Sequence, residues 1–192
     1  MSNNIVCLKV AMVENAISSW NYLLQKGFAL TGVSGMSVRS FLREVLCFDD
    51  AFIESTVRTV FLNNSPVDDL DETCIKEGDR MALGSAMPGL VGIVMGRDNP
   101  FKSFRSDIDA KKAASSASAV PVTVSMKVFS TLAVEVGRDV LKRGILVDPA
   151  MLAVFLADKK ALILEAEGND ADAFLAKLET MVGVVSICVD FS

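Results

Sequence analysis

The chain has 192 residues, of which 51% are hydrophobic and 22% are charged, and this composition favours a packed globular protein of one or two domains. Its formal net charge is −5 and its basic residues are scattered, which argues against nucleic acid or an anionic membrane as a partner. The chain contains no histidine, so catalytic triads and metal sites that depend on histidine are excluded.

The first predicted elements are a strand, a helix and a second strand. Residues 5–13 are apolar and rich in β-branched side chains, which predicts a buried strand. Apolar residues then recur at helical spacing from residue 16 to residue 24, and Gly27 is placed to end that helix. Phe28–Val33 predicts the second strand.

A second helix and a series of turns follow. Ser37 is a good N-cap for a helix with an apolar face, and residues 48–56 predict a loop with one helical turn. A strand is predicted at residues 57–62. The tetrapeptide at 63–66, Asn-Asn-Ser-Pro, predicts a tight turn, because asparagine tolerates the left-handed conformation and proline fixes φ. An acidic loop, a Glu-Gly-Asp turn and a strand at residues 80–83 are the remaining predicted elements of the first 83 residues.

Residues 37–85 resemble the sulfur-carrier family, which includes the small subunit of molybdopterin synthase and the thiamine-pathway carrier. The shared features are the helix that begins at Ser37, the strand and turn at residues 60–67, and the Lys-Glu-Gly-Asp turn within residues 71–83. The resemblance implies a β-grasp, ubiquitin-like fold over roughly residues 5–90. It also implies a C-terminal Gly-Gly tail, but here Leu90 follows Gly89 and the chain continues to Ser192.

The rest of the chain predicts a linker and a second domain. Residues 97–120 are charged and then rich in serine and alanine, which is typical of a linker. Strands are predicted at residues 122–129, 161–167 and 184–191, with helices between them, and residues 162–191 predict a βαβ unit. We therefore expect an α+β protein with a β-grasp domain at 1–96, a linker at 97–120 and a ferredoxin-like domain at 121–192.

Few residues in the sequence indicate a catalytic, metal-binding or phosphate-binding function. The four cysteines lack zinc-site spacing and are predicted to lie in or near the core, with Cys47 and Cys74 the two thiols nearest a surface turn. The acidic residues 68–72 lack the spacing of a calcium loop. The glycine-rich residues 84–96 lack the Gly-Lys-Ser/Thr of a phosphate loop, so they predict a flexible crossing. We predict no catalytic residue, no metal ligand and no cofactor.

Two short segments are candidates for binding a partner. Pro88, Gly89 and Leu90 stand where a carrier tail would lie. Phe101 and Phe104 alternate with basic residues, and two interpretations stay open for them. They either anchor the segment back onto the first domain or grip a nucleotide or a partner groove.

These patterns predict a non-catalytic interaction protein on a sulfur-carrier-like scaffold, with an unknown protein partner such as an activating or cofactor-synthesis enzyme. One alternative is a sulfur-carrier precursor that requires proteolysis near Gly89 and serves cofactor or sulfur metabolism. Another is an enzyme that uses cysteine or carboxylate side chains. We expect neither a signal peptide nor a transmembrane helix, because the required apolar runs are missing, and we expect a cytoplasmic location.

Overall fold

The computed structural model describes residues 5–87, 89–97, 100 and 119–192, and within them it has nine strands and seven α-helices. The strands are β1 (Val6–Met12), β2 (Phe28–Val33), β3 (Thr59–Leu62), β4 (Ser65–Pro66), β5 (Arg80–Gly84), β6 (Pro121–Val128), β7 (Ile145–Val147), β8 (Ile163–Ala166) and β9 (Val185–Phe191). The helices are α1 (Ile17–Lys26), α2 (Val38–Ser40), α3 (Asp50–Ser55), α4 (Gly89–Met95), α5 (Ser130–Arg143), α6 (Pro149–Ala157) and α7 (Ala171–Thr180). The predicted α+β class is therefore confirmed.

Two of the predicted elements have to be corrected. The flexible crossing expected at residues 84–96 is wrong, because most of it forms α4. The single helical turn expected within residues 48–56 is longer than predicted: it is the six-residue helix α3, which begins where the Asp49 side chain accepts a hydrogen bond from the amide of Phe52 at 2.7 Å. None of the described helices has the length and apolarity needed to cross a membrane.

The chain divides into two compact units. One unit comprises the residues up to Leu23 together with Val136–Ser192, and the other comprises Leu24–Glu135. This division differs from the predicted boundaries at residues 96 and 121. The reason is that β6, which was expected to open the second domain, pairs with β2 and β5 of the Leu24–Glu135 unit.

The Leu24–Glu135 unit has a five-stranded mixed sheet in the order β4-β3-β5-β6-β2. The pair β5 and β6 is parallel, and the other neighbours are antiparallel. A two-residue turn joins β3 to β4, with both central asparagines, Asn63 and Asn64, at positive φ. Such turns match the twist of an antiparallel pair, which confirms the turn predicted from the sequence.

One face of this sheet is covered by the segment that begins at Ser37. The Ser37 hydroxyl accepts a hydrogen bond from the amide of Ser40 at 3.1 Å, and α2 continues as a π-helical turn over Phe41–Val45. A Cβ atom at Gly32 on β2 would lie 2.7 Å from the Ile75 side chain and 3.0 Å from the Phe41 ring. Glycine at position 32 therefore allows this segment to pack directly on the sheet.

The other unit has a four-stranded sheet in the order β7-β9-β1-β8. Strand β1 is parallel to β9 and antiparallel to β8, so β8 and β9 lie on either side of β1 and run in opposite directions. The predicted βαβ unit at residues 162–191 is therefore wrong. A ferredoxin-like sheet built from residues 121–192 alone does not form, because β1 is inserted between its strands and β6 pairs elsewhere.

The side chains of β1 and β9 alternate between two environments. Leu8, Val10 and Met12 of β1 are buried, as are the corresponding residues of β9. On this face the indole N–H of Trp20 donates to the sulfur of Met12 at 2.9 Å, and the Trp20 ring meets Phe155 edge to face. The opposite face of the same strands is more exposed and polar.

Candidate functional site

The first candidate surface lies on α4 and on the residue two positions before it. We call it the α4 face, and it consists of Met87, Leu90 and Ile93. All three side chains are exposed, and Leu90 is the most exposed at 74%. Leu90 and Ile93 are three residues apart, so they lie on the same side of the helix. The sequence of α4 contains no polar side chain. Exposed apolar residues grouped in this way are typical of a contact surface.

Arg97 fixes the end of α4. Its guanidinium is buried, with the residue only 4% exposed, and it donates to the carbonyl oxygen of Ile53 at 2.7 Å and to that of Val57 at 2.9 Å and 3.1 Å. Its backbone amide also donates to the carbonyl of Arg58 at 2.8 Å. The linker predicted to begin at residue 97 is therefore wrong at that residue, which belongs to the packed unit.

Two glycines define the start of α4. Gly89 has φ +81°, a conformation that disfavours other residues. A Cβ atom at Gly92 would lie 2.1 Å from the carbonyl oxygen of Met87, so only glycine fits there without a shift of the backbone. With Arg97 at the other end, these contacts hold Leu90 and Ile93 outward on a fixed helix.

The structure describes two of the five predicted partner-binding residues. Gly89 and Leu90 lie together at the start of α4. Pro88, Phe101 and Phe104 lie outside the described residues, so their role stays a prediction. Most of the predicted linker at residues 97–120 lies outside them as well.

The acidic loop at residues 68–72 is part of an ion-pair cluster. Arg39 contacts both carboxylate oxygens of Asp71, at 2.8 Å and 3.0 Å, and one oxygen of Glu54 at 2.7 Å. The hydrogen bond from Arg39 lowers the pKa of Glu54, and the bonds to Glu54 and Asp71 raise the pKa of Arg39. The cluster ties this loop to α2 and α3.

The second candidate surface is the outward face of strands β8, β1 and β9, which we call the polar sheet face. The register places Ala11 between Glu165 and Asp190, and it places Lys9 opposite Cys188. An open cleft of about 560 Å³ lies on this face. Its lining residues are Lys9, Val10, Ala11, Lys142, Glu165, Glu167, Gly168, Cys188, Val189 and Asp190.

A turn of unusual conformation borders the cleft. Glu167 has φ +55° and is followed by Gly168 with φ +71°. The amide of Glu167 donates to the carbonyl of Lys9 at 3.2 Å, and the amide of Lys9 donates to the Glu167 carboxylate at 2.5 Å. These two bonds hold a non-glycine residue in the left-handed region and continue the β1–β8 pairing beyond Ala166.

The four cysteines differ in exposure. Cys7 and Cys47 are exposed, and Cys74 and Cys188 are half-buried. The prediction that the thiols lie in or near the core is therefore wrong for Cys7, whereas the exposure of Cys47 agrees with its predicted place near a surface turn. The sulfur of Cys188 donates to the carbonyl oxygen of Arg143 at 3.6 Å. Burial raises the pKa of the Cys188 thiol, nearby Cys7 raises it further, and Lys9 opposes the shift. Cys188 is therefore a weak nucleophile at neutral pH.

The sequence also contains a signal for the polar sheet face. Polar or small residues alternate with apolar ones at positions 7, 9 and 11 and again at positions 186, 188 and 190. This period of two indicates strands with one face outside the core. The strong apolar character of residues 5–13 led instead to the prediction of a fully buried strand.

Within the described residues, no group of three or more histidine, cysteine, aspartate or glutamate side chains is arranged to hold a metal ion. The chain was also compared with known proteins. No protein-family model, no curated protein and no solved structure matches it.

Proposed function

We propose that the chain is a non-catalytic interaction protein that binds a protein partner through the α4 face. The observation that carries this proposal is the exposure of Leu90 and Ile93 on a helix without polar side chains. Burying a leucine or isoleucine side chain contributes about 1.5–3 kcal/mol. A partner that buries these side chains would therefore gain binding free energy from their removal from water.

The scaffold supports the same proposal. We infer that the Leu24–Glu135 unit is a β-grasp arrangement in which β6 takes the place that the resemblance assigns to residues 5–13. The support is the parallel pair β5 and β6 at the centre of the sheet, the antiparallel neighbour β2, and the helical segment from Ser37 that follows β2. An activating or cofactor-synthesis enzyme is the class of partner that such a scaffold suggests.

The four cysteines are free thiols within the described residues. Free thiols persist in a reducing compartment, so the proposal includes a cytoplasmic location. The acidic net charge of −5 supports a protein partner over nucleic acid.

Site-specific photocrosslinking in the native host tests the α4 face. A photoreactive phenylalanine analogue replaces Leu90 in one variant and Val154 in the control, because Val154 is 77% exposed but lies on α6 of the other unit. We expect the Leu90 variant to form a discrete adduct with one protein and the Val154 variant to form none. Equal labelling from both positions would contradict the proposal.

A second step uses the partner that the crosslink identifies. Calorimetry with the purified proteins measures the affinity of wild type and of Leu90→Glu. A charge buried in an apolar contact costs several kcal/mol, so we expect binding to weaken at least about tenfold. Turnover of a small-molecule substrate by the purified chain alone would contradict the non-catalytic part of the proposal.

The carrier-precursor alternative predicts cleavage near Gly89. Gly89 begins α4 and Arg97 fixes the end of that helix, so a protease would need α4 to open locally. Intact mass of the protein from its native host separates the two functions. A chain that ends at Gly89 with a thiocarboxylate would support the precursor, and an untrimmed chain supports the interaction protein.

A further inference from the structure

The cleft on the polar sheet face has an acidic end. The register places Glu165 of β8 and Asp190 of β9 on either side of Ala11, and all three residues line the cleft. Neighbouring strands lie about 4.8 Å apart, so the Cα atoms of the two acidic residues are about 10 Å apart. Because Ala11 carries only a methyl group, the space between the two acidic side chains stays open.

The other end of the cleft is basic. Lys9 lies two residues from Ala11, about 7 Å along β1, and is in register with Cys188. Lys142 lines the cleft from the last turn of α5. The carbonyl oxygen of the next residue, Arg143, accepts a hydrogen bond from the Cys188 thiol at 3.6 Å. Register and chain sequence therefore place both lysines beside Cys188.

These charged side chains do not pair with one another. Within the described part of the chain, the side chains of Lys9, Lys142 and Glu165 form no hydrogen bond and no ion pair. Asp190 and Glu167 each accept one hydrogen bond from a backbone amide. The cleft therefore presents ammonium groups and carboxylates that a bound ligand can contact.

We propose that this cleft binds a small linear amino acid. The ammonium group of the ligand lies between Glu165 and Asp190. Its carboxylate lies beside Lys9 and Lys142. A zwitterion matches the opposite charges of the two ends, whereas a dication would meet the lysines and a dianion would meet the acidic residues.

The dimensions of the cleft agree with such a ligand. Its volume of about 560 Å³ lies within the range of small-molecule sites. In 4-aminobutyrate, four bonds separate the ammonium nitrogen from the carboxylate carbon, a span of roughly 5 Å. Ala11, Gly168 and Cys188 are small residues that leave room for the methylene chain. The charged side chains are exposed, so we expect a dissociation constant of about 1 mM.

The site is independent of the α4 face in sequence, because every residue that lines the cleft belongs to the unit that lacks α4. The test is an NMR titration of the ¹⁵N-labelled full-length chain with 4-aminobutyrate, succinate and putrescine. These four-carbon compounds are a zwitterion, a dianion and a dication. We expect 4-aminobutyrate to shift the amide signals of the cleft residues and to bind at least about tenfold more tightly than the other two.

Variants then test the two ends of the cleft. Lys9→Gln removes one charge from the basic end, and Glu165→Gln removes one from the acidic end. The matched controls are Lys177→Gln and Glu179→Gln, at exposed positions on α7. We expect each cleft variant to bind 4-aminobutyrate at least about threefold more weakly, because one exposed charge pair is lost, and we expect the controls to bind like wild type.

Several outcomes would overturn the proposal. They are equal binding of the three compounds, no localised shift with 4-aminobutyrate at about 20 mM, or equal weakening in the α7 controls. The four substituted side chains are exposed, and the same spectra show whether each variant is folded. Leu90→Glu is expected to bind 4-aminobutyrate unchanged, so this proposal and the partner surface fail separately.

Discussion

The guanidinium of Arg97 donates a 2.7 Å hydrogen bond to the carbonyl oxygen of Ile53, and the same group bonds to the carbonyl of Val57. These carbonyls lie at the end of α3, where a helix leaves acceptors without partners inside the helix. The charge of Arg97 also lies 3.6 Å from the carboxylate of Glu54. Arg97 thus joins α3 to α4 and holds the α4 face in position.

Replacing Arg97 with methionine is expected to destabilise the protein by about 2–4 kcal/mol, because buried carbonyl groups lose charged donors. Arg43→Met is the matched control. Arg43 is 55% exposed and its contact with Asp50 is 3.6 Å, so its loss is expected to cost less than about 0.5 kcal/mol. Urea unfolding measures both changes, and equal losses would contradict the anchoring role of Arg97.

Gly92→Ala is expected to cost about 1–3 kcal/mol, since the added methyl group overlaps the carbonyl oxygen of Met87. Gly84→Ala serves as the control, because its Cβ would meet nothing closer than Thr59 at 3.8 Å. Thermal unfolding compares the two variants. A neutral Gly92→Ala would mean that α4 is not held against Met87.

The pair of Arg39 and Glu54 predicts a pH dependence of stability. The hydrogen bond from Arg39 lowers the pKa of Glu54 in the folded state, so the folded carboxylate holds its proton less tightly than the unfolded one. The stabilisation is present above the unfolded pKa, about 4.3, and is lost as the pH falls through the folded value. Because Glu54 is 48% exposed, the effect is expected to stay below about 1 kcal/mol.

Unfolding free energies measured between about pH 3 and pH 7 check this dependence. As the pH falls across this range, the unfolding free energy of Glu54→Gln is expected to decrease less than that of wild type. Glu179→Gln, at an exposed position on α7, is the control and is expected to follow wild type. If the unfolding free energy of Glu54→Gln fell in acid by as much as that of wild type, the role of the Arg39–Glu54 pair would be contradicted.

The cysteines are expected to differ in their rates of alkylation. Burial raises the pKa of Cys188, so less of it is thiolate at about pH 8, and the thiolate is the reactive form. Cys47 is exposed and is the reference. Peptide mass spectrometry after timed iodoacetamide treatment is expected to find Cys188 modified more slowly than Cys47, and equal rates would contradict the described burial.

Local signals in the sequence predicted those elements whose causes lie within a few residues. Ser37 caps α2 through an amide three residues away. The asparagines at 63 and 64 adopt the left-handed conformation that their side chains tolerate. Each strand of the polar sheet face shows its own alternation, but the face as a whole was not predicted, because β1 and β9 come from opposite ends of the chain and only the fold makes them neighbours.

The sequence by itself determined the α+β class, most helices and strands, and the turn between β3 and β4, because each depends on neighbours along the chain. Only the tertiary structure decided that β1 lies between β8 and β9 and that β6 lies between β5 and β2. Apolar strands carry little information about their partners, since many registers bury similar side chains. The α4 face and the polar sheet face depend on these long-range contacts, which no local pattern encodes.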